Sequence, residues 1–245
     1  MNIRKSRVPA DTPRKKELLN TAYGVYSRWI KRVPLACRKG CAACCTQSVC
    51  MTCLEGEVIL DFIKRRKKRT WLNEKLSETV PGKNKPAVTT NQYARACLAQ
   101  EEIDAAGAGS WDFTPCVFLE DNICSIYEVR PFGCRSFGSL VRCSENRAAE
   151  MAPVHLAVNT VFTQIIEHLN SDGGYWANMA DILSYLLKKE GTGDSGNLLA
   201  AQPAPGFLLE PHEARIVHAL LLQLKKQAAE KQTFGDLIDN FMLME

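Results

Sequence analysis

No stretch of this 245-residue chain is apolar over a membrane-spanning length; the best run, around Ile216 to Leu224, is broken by His218 and Gln223. The opening Met1-Asn2-Ile3-Arg4-Lys5-Ser6-Arg7 runs into Pro9 and Pro13 with no apolar centre, so a secretory leader is not expected. There is no glycine-rich nucleotide loop of the Rossmann kind, which lowers the reading of an enzyme driven by S-adenosylmethionine. Histidine is scarce, four in all, and His212-Glu213 lacks the second histidine four residues on that a helical zinc protease needs. The other three, His155, His168 and His218, fall on predicted helices. No internal repeat is visible, and no alternation of strands and helices suggests a parallel barrel.

What the chain has instead is cysteine. Four of eleven lie within nine residues, Cys37-Arg38-Lys39-Gly40-Cys41-Ala42-Ala43-Cys44-Cys45, and a second group follows at Cys116, Cys124, Cys134 and Cys143. Isolated buried cysteines are common as small hydrophobes, but this density exceeds what core packing asks for. A cytoplasmic chain, expected here, keeps its thiols reduced, so metal binding or redox chemistry is favoured over a disulfide scaffold. Eight sulfurs are enough for two four-thiolate sites or for one larger cluster. The formal charge of +4 counts every thiol as neutral. Eight deprotonated ligands would subtract eight charges and two divalent ions would restore four. Surplus Lys and Arg can therefore balance an anionic centre and need not signal nucleic acid.

Around the cysteines the pattern is helical. Residues 14–33 carry Leu18, Leu19, Ala22, Tyr23, Tyr26, Trp29, Ile30 and Val33 at helical spacing, and Pro34 ends that element. Thr52-Cys53-Leu54-Glu55 fits a capping box, with Leu54, Val58, Ile59, Phe62 and Ile63 striped behind it. The first cysteine group is thus predicted in a loop clamped between two helices. The second helix ends in Lys64-Arg65-Arg66-Lys67-Lys68-Arg69 before Trp71, read as a solvated helix end whose cations suit the carboxyl-terminal dipole. A further helix is predicted over Thr89 to Asp104, and Ala105 to Ser110 reads as a flexible connection. Val117-Phe118-Leu119 and Ile123 to Tyr127 flank the turn-like Glu120-Asp121-Asn122, which predicts a short hairpin with Cys116 and Cys124 at its ends. Beyond Cys143 the stripes are Val154 to Leu169 and Trp176 to Leu187. Gly191 to Gly206 reads as a long mobile connection, before helices near 211–229 and 233–243. The expected fold is mainly α, helices packed around an irregular cysteine-rich metal-binding core with one short β-hairpin. Residues 1–148 would form the metal-binding part and 149–245 a helical extension packed on it.

The spacing itself points to ligands. Cys41-Ala42-Ala43-Cys44 lets two sulfurs converge in a tight turn, with Gly40 free to take a positive φ. Cys37 extends this to Cys-x3-Cys-x2-Cys, three corners of a four-iron cluster. Neighbouring side chains diverge, so Cys44 and Cys45 should serve different metals or different corners of one centre. Arg130 and Arg135, beside the second group, are expected to neutralise the centre and donate hydrogen bonds to sulfur. Arg38, Lys39, Arg142 and Arg147 also lie near ligands. Cys50 and Cys53 form a pair of their own and are either extra ligands or bystanders; Cys97 is expected to pack.

CRKGCAACC followed by PCVFLEDNICSIYEVRPFGCRSF resembles the bacterial cysteine-cluster proteins of the YkgJ type, described as zinc- or iron-chelating. That pattern falls here on Cys37, Cys41, Cys44, Cys45, Cys116, Cys124 and Cys134, with Cys143 as the eighth by spacing. One branch, the flagellin lysine N-methylases, is similar around the motif and uses an iron–sulfur cluster with S-adenosylmethionine. The resemblance implies metal chelation over residues 35–145. Three functions follow as expectations. The leading one is an iron–sulfur protein, 4Fe-4S in type, serving electron transfer or another enzyme through a protein partner. The second is an S-adenosylmethionine-dependent enzyme modifying a protein side chain. The third is a structural zinc module.

Overall fold

The computed structural model describes residues 12–103, 114–143, 148–188 and 196–229. These form a mainly helical protein with small antiparallel sheets. Helix α1 spans Thr12–Ile30 and α2 spans Cys53–Arg65, with strand β1, Cys50–Thr52, immediately before α2. The capping box is present: Thr52 Oγ1 accepts from Glu55 N, and the Glu55 side chain accepts from Thr52 N. Two outer helices follow, α3 at Arg69–Ser77 and α4 at Thr90–Ala99. Helix α4 ends earlier than its apolar stripe suggests, at Gln100 in the left-handed conformation.

The hairpin pairs β2, Leu119–Glu120, with β3, Ile123–Cys124. Its turn needs two consecutive residues with positive φ, and Asp121 (49°) and Asn122 (60°) supply them. This is the hairpin turn whose twist matches that of its strands, and short polar side chains tolerate it best. Helix α5, Phe132–Ser136, carries Cys134. Helices α6, Pro153–Leu169, and α8, Pro211–Ala229, complete one core with α1: Leu19, Tyr26, Phe162, Ile165 and Leu224 are all buried there. A second core joins α2 and the hairpin region to α7, Met179–Lys188, through Met51, Ile59, Phe118, Ile126 and Ile182. Each core therefore draws on chain from both sides of residue 148.

Two features depart from the sequence expectation. Trp176 does not open a helix. Tyr175–Asn178 is strand β4, paired antiparallel with β1 on one side and with β5, Leu199–Ala200, on the other. Aromatic residues suit a strand, and Asn178 then starts α7 by accepting from Ala180 N. The stretch read as a mobile connection is likewise docked where it is described. Gln202 N donates to the buried Glu167 carboxylate at 2.8 Å, Gln202 O accepts from Asn91, and Gly206 O accepts from Gln164. The connection at 105–110, Arg147 and the helix expected at 233–243 lie outside the described residues. Among the described residues no helix is long and apolar enough to cross a membrane.

Candidate metal centre

The first cysteine group is a pair of tight turns. Cys41 N donates to Arg38 O at 2.9 Å, and Gly40 takes φ +84° at the third position, where a residue with Cβ is strained. Cys45 N closes the next turn onto Ala42 O at 2.9 Å. From there the backbone zips to the second group. Cys116 N donates to Cys45 O at 2.9 Å, Thr46 bridges Pro115, and Gln47 N donates to Thr114 O at 2.9 Å. Two segments about seventy residues apart are thus fastened edge to edge at the thiols.

Cys134 arrives on α5, whose position is set by a buried carboxylate. Glu55 is 2% exposed. Its Oε1 accepts from Phe132 N at 2.7 Å and from Tyr23 Oη at 2.7 Å. Its Oε2 accepts from Thr52 N at 2.9 Å and Thr52 Oγ1 at 3.0 Å. One side chain thereby joins α1, the start of α2 and the start of α5. Gly133 lets α5 press against β1, since a Cβ there would sit 3.3 Å from Cys50 O.

The thiols fall into two neighbourhoods. Burial raises the pKa values of Cys116, Cys124 and Cys134, that of Cys116 to about 11, and all three feel Cys45 as a nearby negative charge. Cys134 also feels Cys116 and Cys124. Cys45, Cys116, Cys124 and Cys134 are therefore one group. The Cys44 thiol is pushed up, first of all by donating its S–H to Cys45, and it feels Cys37 and Cys41. Cys45, receiving that hydrogen bond and lying near Arg130, is held down to about 7. Cys37 and Cys41 line an open cavity of about 270 Å³ together with Cys143. The second group is therefore Cys37, Cys41, Cys44 and Cys143, and the adjacent pair Cys44-Cys45 spans the two. Among the described residues no group of three or more cysteine, histidine, aspartate or glutamate side chains is placed so that it could hold a metal ion.

The two arginines differ. The Arg130 guanidinium lies 3.7 Å over the Tyr127 ring, donates to Tyr127 O at 2.8 Å, and acts to lower the pKa values of Cys45, Cys124 and Cys134. Arg135 faces elsewhere. Its Nε donates to Arg130 O and its Nη2 to Glu128 O, both at 2.8 Å, while its guanidinium stacks 4.3 Å over Tyr23 beside Glu55. Arg135 thus braces the turn that presents Arg130 and acts on no thiol directly. A donor that sequence reasoning missed is Ser139: its N–H points at Cys37 Sγ at 3.3 Å. Nothing in its spacing signals that role.

The other cysteines stand apart. Cys50 is in β1, where burial first and then Asp181 push its thiol up to about 12. Cys53 opens α2 inside the second core, and Cys97 is exposed on α4. The basic run is partly spoken for within the molecule. Arg66 pairs with Glu128 at 2.9 Å, and Lys68 lies 5.2 Å over the Trp71 ring. Comparison of the chain with protein-family models, curated proteins and solved structures yields no match.

Proposed function

We propose that this chain is a metal-binding protein in which thiolates from its two cysteine groups hold iron–sulfur centres, in the service of electron transfer or of another enzyme. The observation that carries the reading is the gathering of Cys45 with Cys116, Cys124 and Cys134, thiols that the chain separates by some seventy residues or more. Simple core packing does not ask four thiols to gather beside an arginine. Soft sulfur donors in sets of four suit iron–sulfur clusters. The Cys-x3-Cys-x2-Cys array, completed by Cys143, would hold one centre, and Cys45, Cys116, Cys124 and Cys134 the other. When bound, such a centre accepts and gives up single electrons.

The chain's own residues would set its properties. Arg130 offsets the negative charge of the inner set. The Ser139 N–H donates to Cys37, a contact that stabilises the electron-rich form of a ligating sulfur. Glu55 holds α5 so that Cys134 faces Cys116 and Cys124. Zinc is the second reading, favoured by one observation. The eight thiols divide into two sets of four, and four thiolates close a structural zinc site. Anaerobic purification with metal and sulfide analysis separates the two. Brown protein with acid-labile sulfide supports the iron–sulfur reading, colourless protein with stoichiometric zinc supports the other, and protein without metal refutes both.

A further inference from the structure

The two thiol sets differ in what surrounds them. Cys45, Cys116, Cys124 and Cys134 are all half-buried. Cys37, Cys41 and Cys44 are exposed. Beside them run Arg38 and Lys39 on one strand of chain and Arg142 on another, all three exposed and lining the same cavity. Among the described residues no carboxylate pairs with any of the three, and they are not among the charges that act on Cys44. They are therefore not spent on the thiols in the way Arg130 is.

The segment that leads into Arg142 also carries exposed apolar side chains. Phe137 is 45% exposed and Leu140 is 36% exposed. Their backbone is fixed: Ala36 N donates to Ser139 O at 2.7 Å, and Ser139 Oγ donates to Val141 O and accepts from Val141 N and Glu150 N. Exposed aromatic and aliphatic side chains on a rigid ledge, rimmed by cations, match the anatomy of a protein–protein contact better than that of a small-anion pocket.

We propose that this ledge, residues 137–142 with the 38–41 turn, is a docking surface for an acidic protein, one that would pass single electrons to or from the metal centre proposed for the outer thiols. Its purpose rests on the metal-centre reading; its existence as a surface does not. Charge complementarity selects the partner. The rim cations would steer an acidic face toward the exposed sulfurs, and the two apolar side chains would hold it there.

The test uses the full chain, with a small acidic plant-type ferredoxin as probe and the basic protein cytochrome c as its opposite. The ferredoxin is expected to bind at 20 mM salt and to weaken about tenfold or more by 300 mM, as screening shortens the reach of surface charge. The triple variant R38E/K39E/R142E should lose that binding, whereas R65E/K67E, which reverses an equal kind of charge elsewhere, should keep it. F137S/L140S should weaken binding and leave the salt slope unchanged. Equal binding of both probes, or loss of binding in R65E/K67E as in the triple variant, overturns the proposal. Metal content measured on the same samples separates the two claims. Native protein that carries metal but ignores the ferredoxin defeats the docking surface alone. Metal-free native protein that still captures it defeats the metal reading alone.

Discussion

Replacing Glu55 tests how the structure positions Cys134. The carboxylate satisfies two backbone N–H groups, Thr52 and Phe132, and two hydroxyls, Tyr23 and Thr52, in a site with almost no solvent. Glutamine has one oxygen where the carboxylate has two. Whichever way its amide turns, an N–H2 group faces a backbone N–H. If the amide nitrogen takes the Oε2 side, Thr52 N loses its acceptor; if it takes the Oε1 side, Phe132 N does. An orphaned buried donor costs about 1–3 kcal/mol, so Glu55→Gln should destabilise by about that much. Glu55→Ala orphans both N–H groups and leaves a void, which brings the loss to about 3–5 kcal/mol. The hydroxyls can turn to other partners and add little. The assay is urea unfolding followed by circular dichroism, paired with native-state labelling of Cys134 in metal-free protein. Because Phe132 N anchors the first turn of α5, Cys134 should label faster in both variants. A Glu55→Gln protein within about 0.5 kcal/mol of the native chain, with Cys134 equally protected, would refute the reasoning.

Two further outcomes follow from the electrostatics. In metal-free, reduced protein Cys45 should alkylate first, with an apparent pKa of about 7; a pH profile of iodoacetamide labelling read by mass spectrometry checks this. Cys44→Ala removes the donated hydrogen bond and Arg130→Ala the nearby cation, so each should move that profile upward; a profile unmoved by either contradicts the assignment. His155 is wholly buried, and burial holds its pKa below the ordinary 6.5. Below pH 6.5 the unfolded chain takes up a proton that the folded chain refuses, so this residue removes stability as pH falls, by up to about 1.4 kcal/mol per unit. Urea midpoints at pH 7.5 and 5.5 should therefore converge in His155→Asn relative to the native chain.

Much of this arrangement is legible in the residues. Thr52 with Glu55 announces a helix start, and Asp121-Asn122 between apolar flanks announces the hairpin. Each is a local signal that tertiary packing did not override. The second half of Glu55's role, reaching Phe132 N seventy-seven residues away, has no local signature. Strand β4 was hidden for a related reason. Trp176, Met179, Ile182 and Leu183 satisfy a helical period, and it is pairing with the distant Cys50–Thr52 and Leu199–Ala200 that makes the first three residues of that stretch, 176–178, part of a strand. Arg135 misleads by sequence proximity. It follows Cys134 on a helix, where successive side chains diverge by about 100°, so it turns to Tyr23 and Glu55. Cys44 and Cys45 do not diverge in this way: within their turn the Cys44 S–H donates to Cys45, so the two sulfurs are neighbours, against what adjacency alone suggested.

The most direct test of the whole account is the metal content of three proteins prepared side by side without oxygen: the native chain, Cys134→Ser and Cys143→Ser. If the eight thiols form two sets joined at Cys44-Cys45, each variant should retain about half of the native metal per chain. Cys134→Ser should spare the outer centre and Cys143→Ser the inner one. Native protein without metal, or two variants with undiminished content, would contradict it.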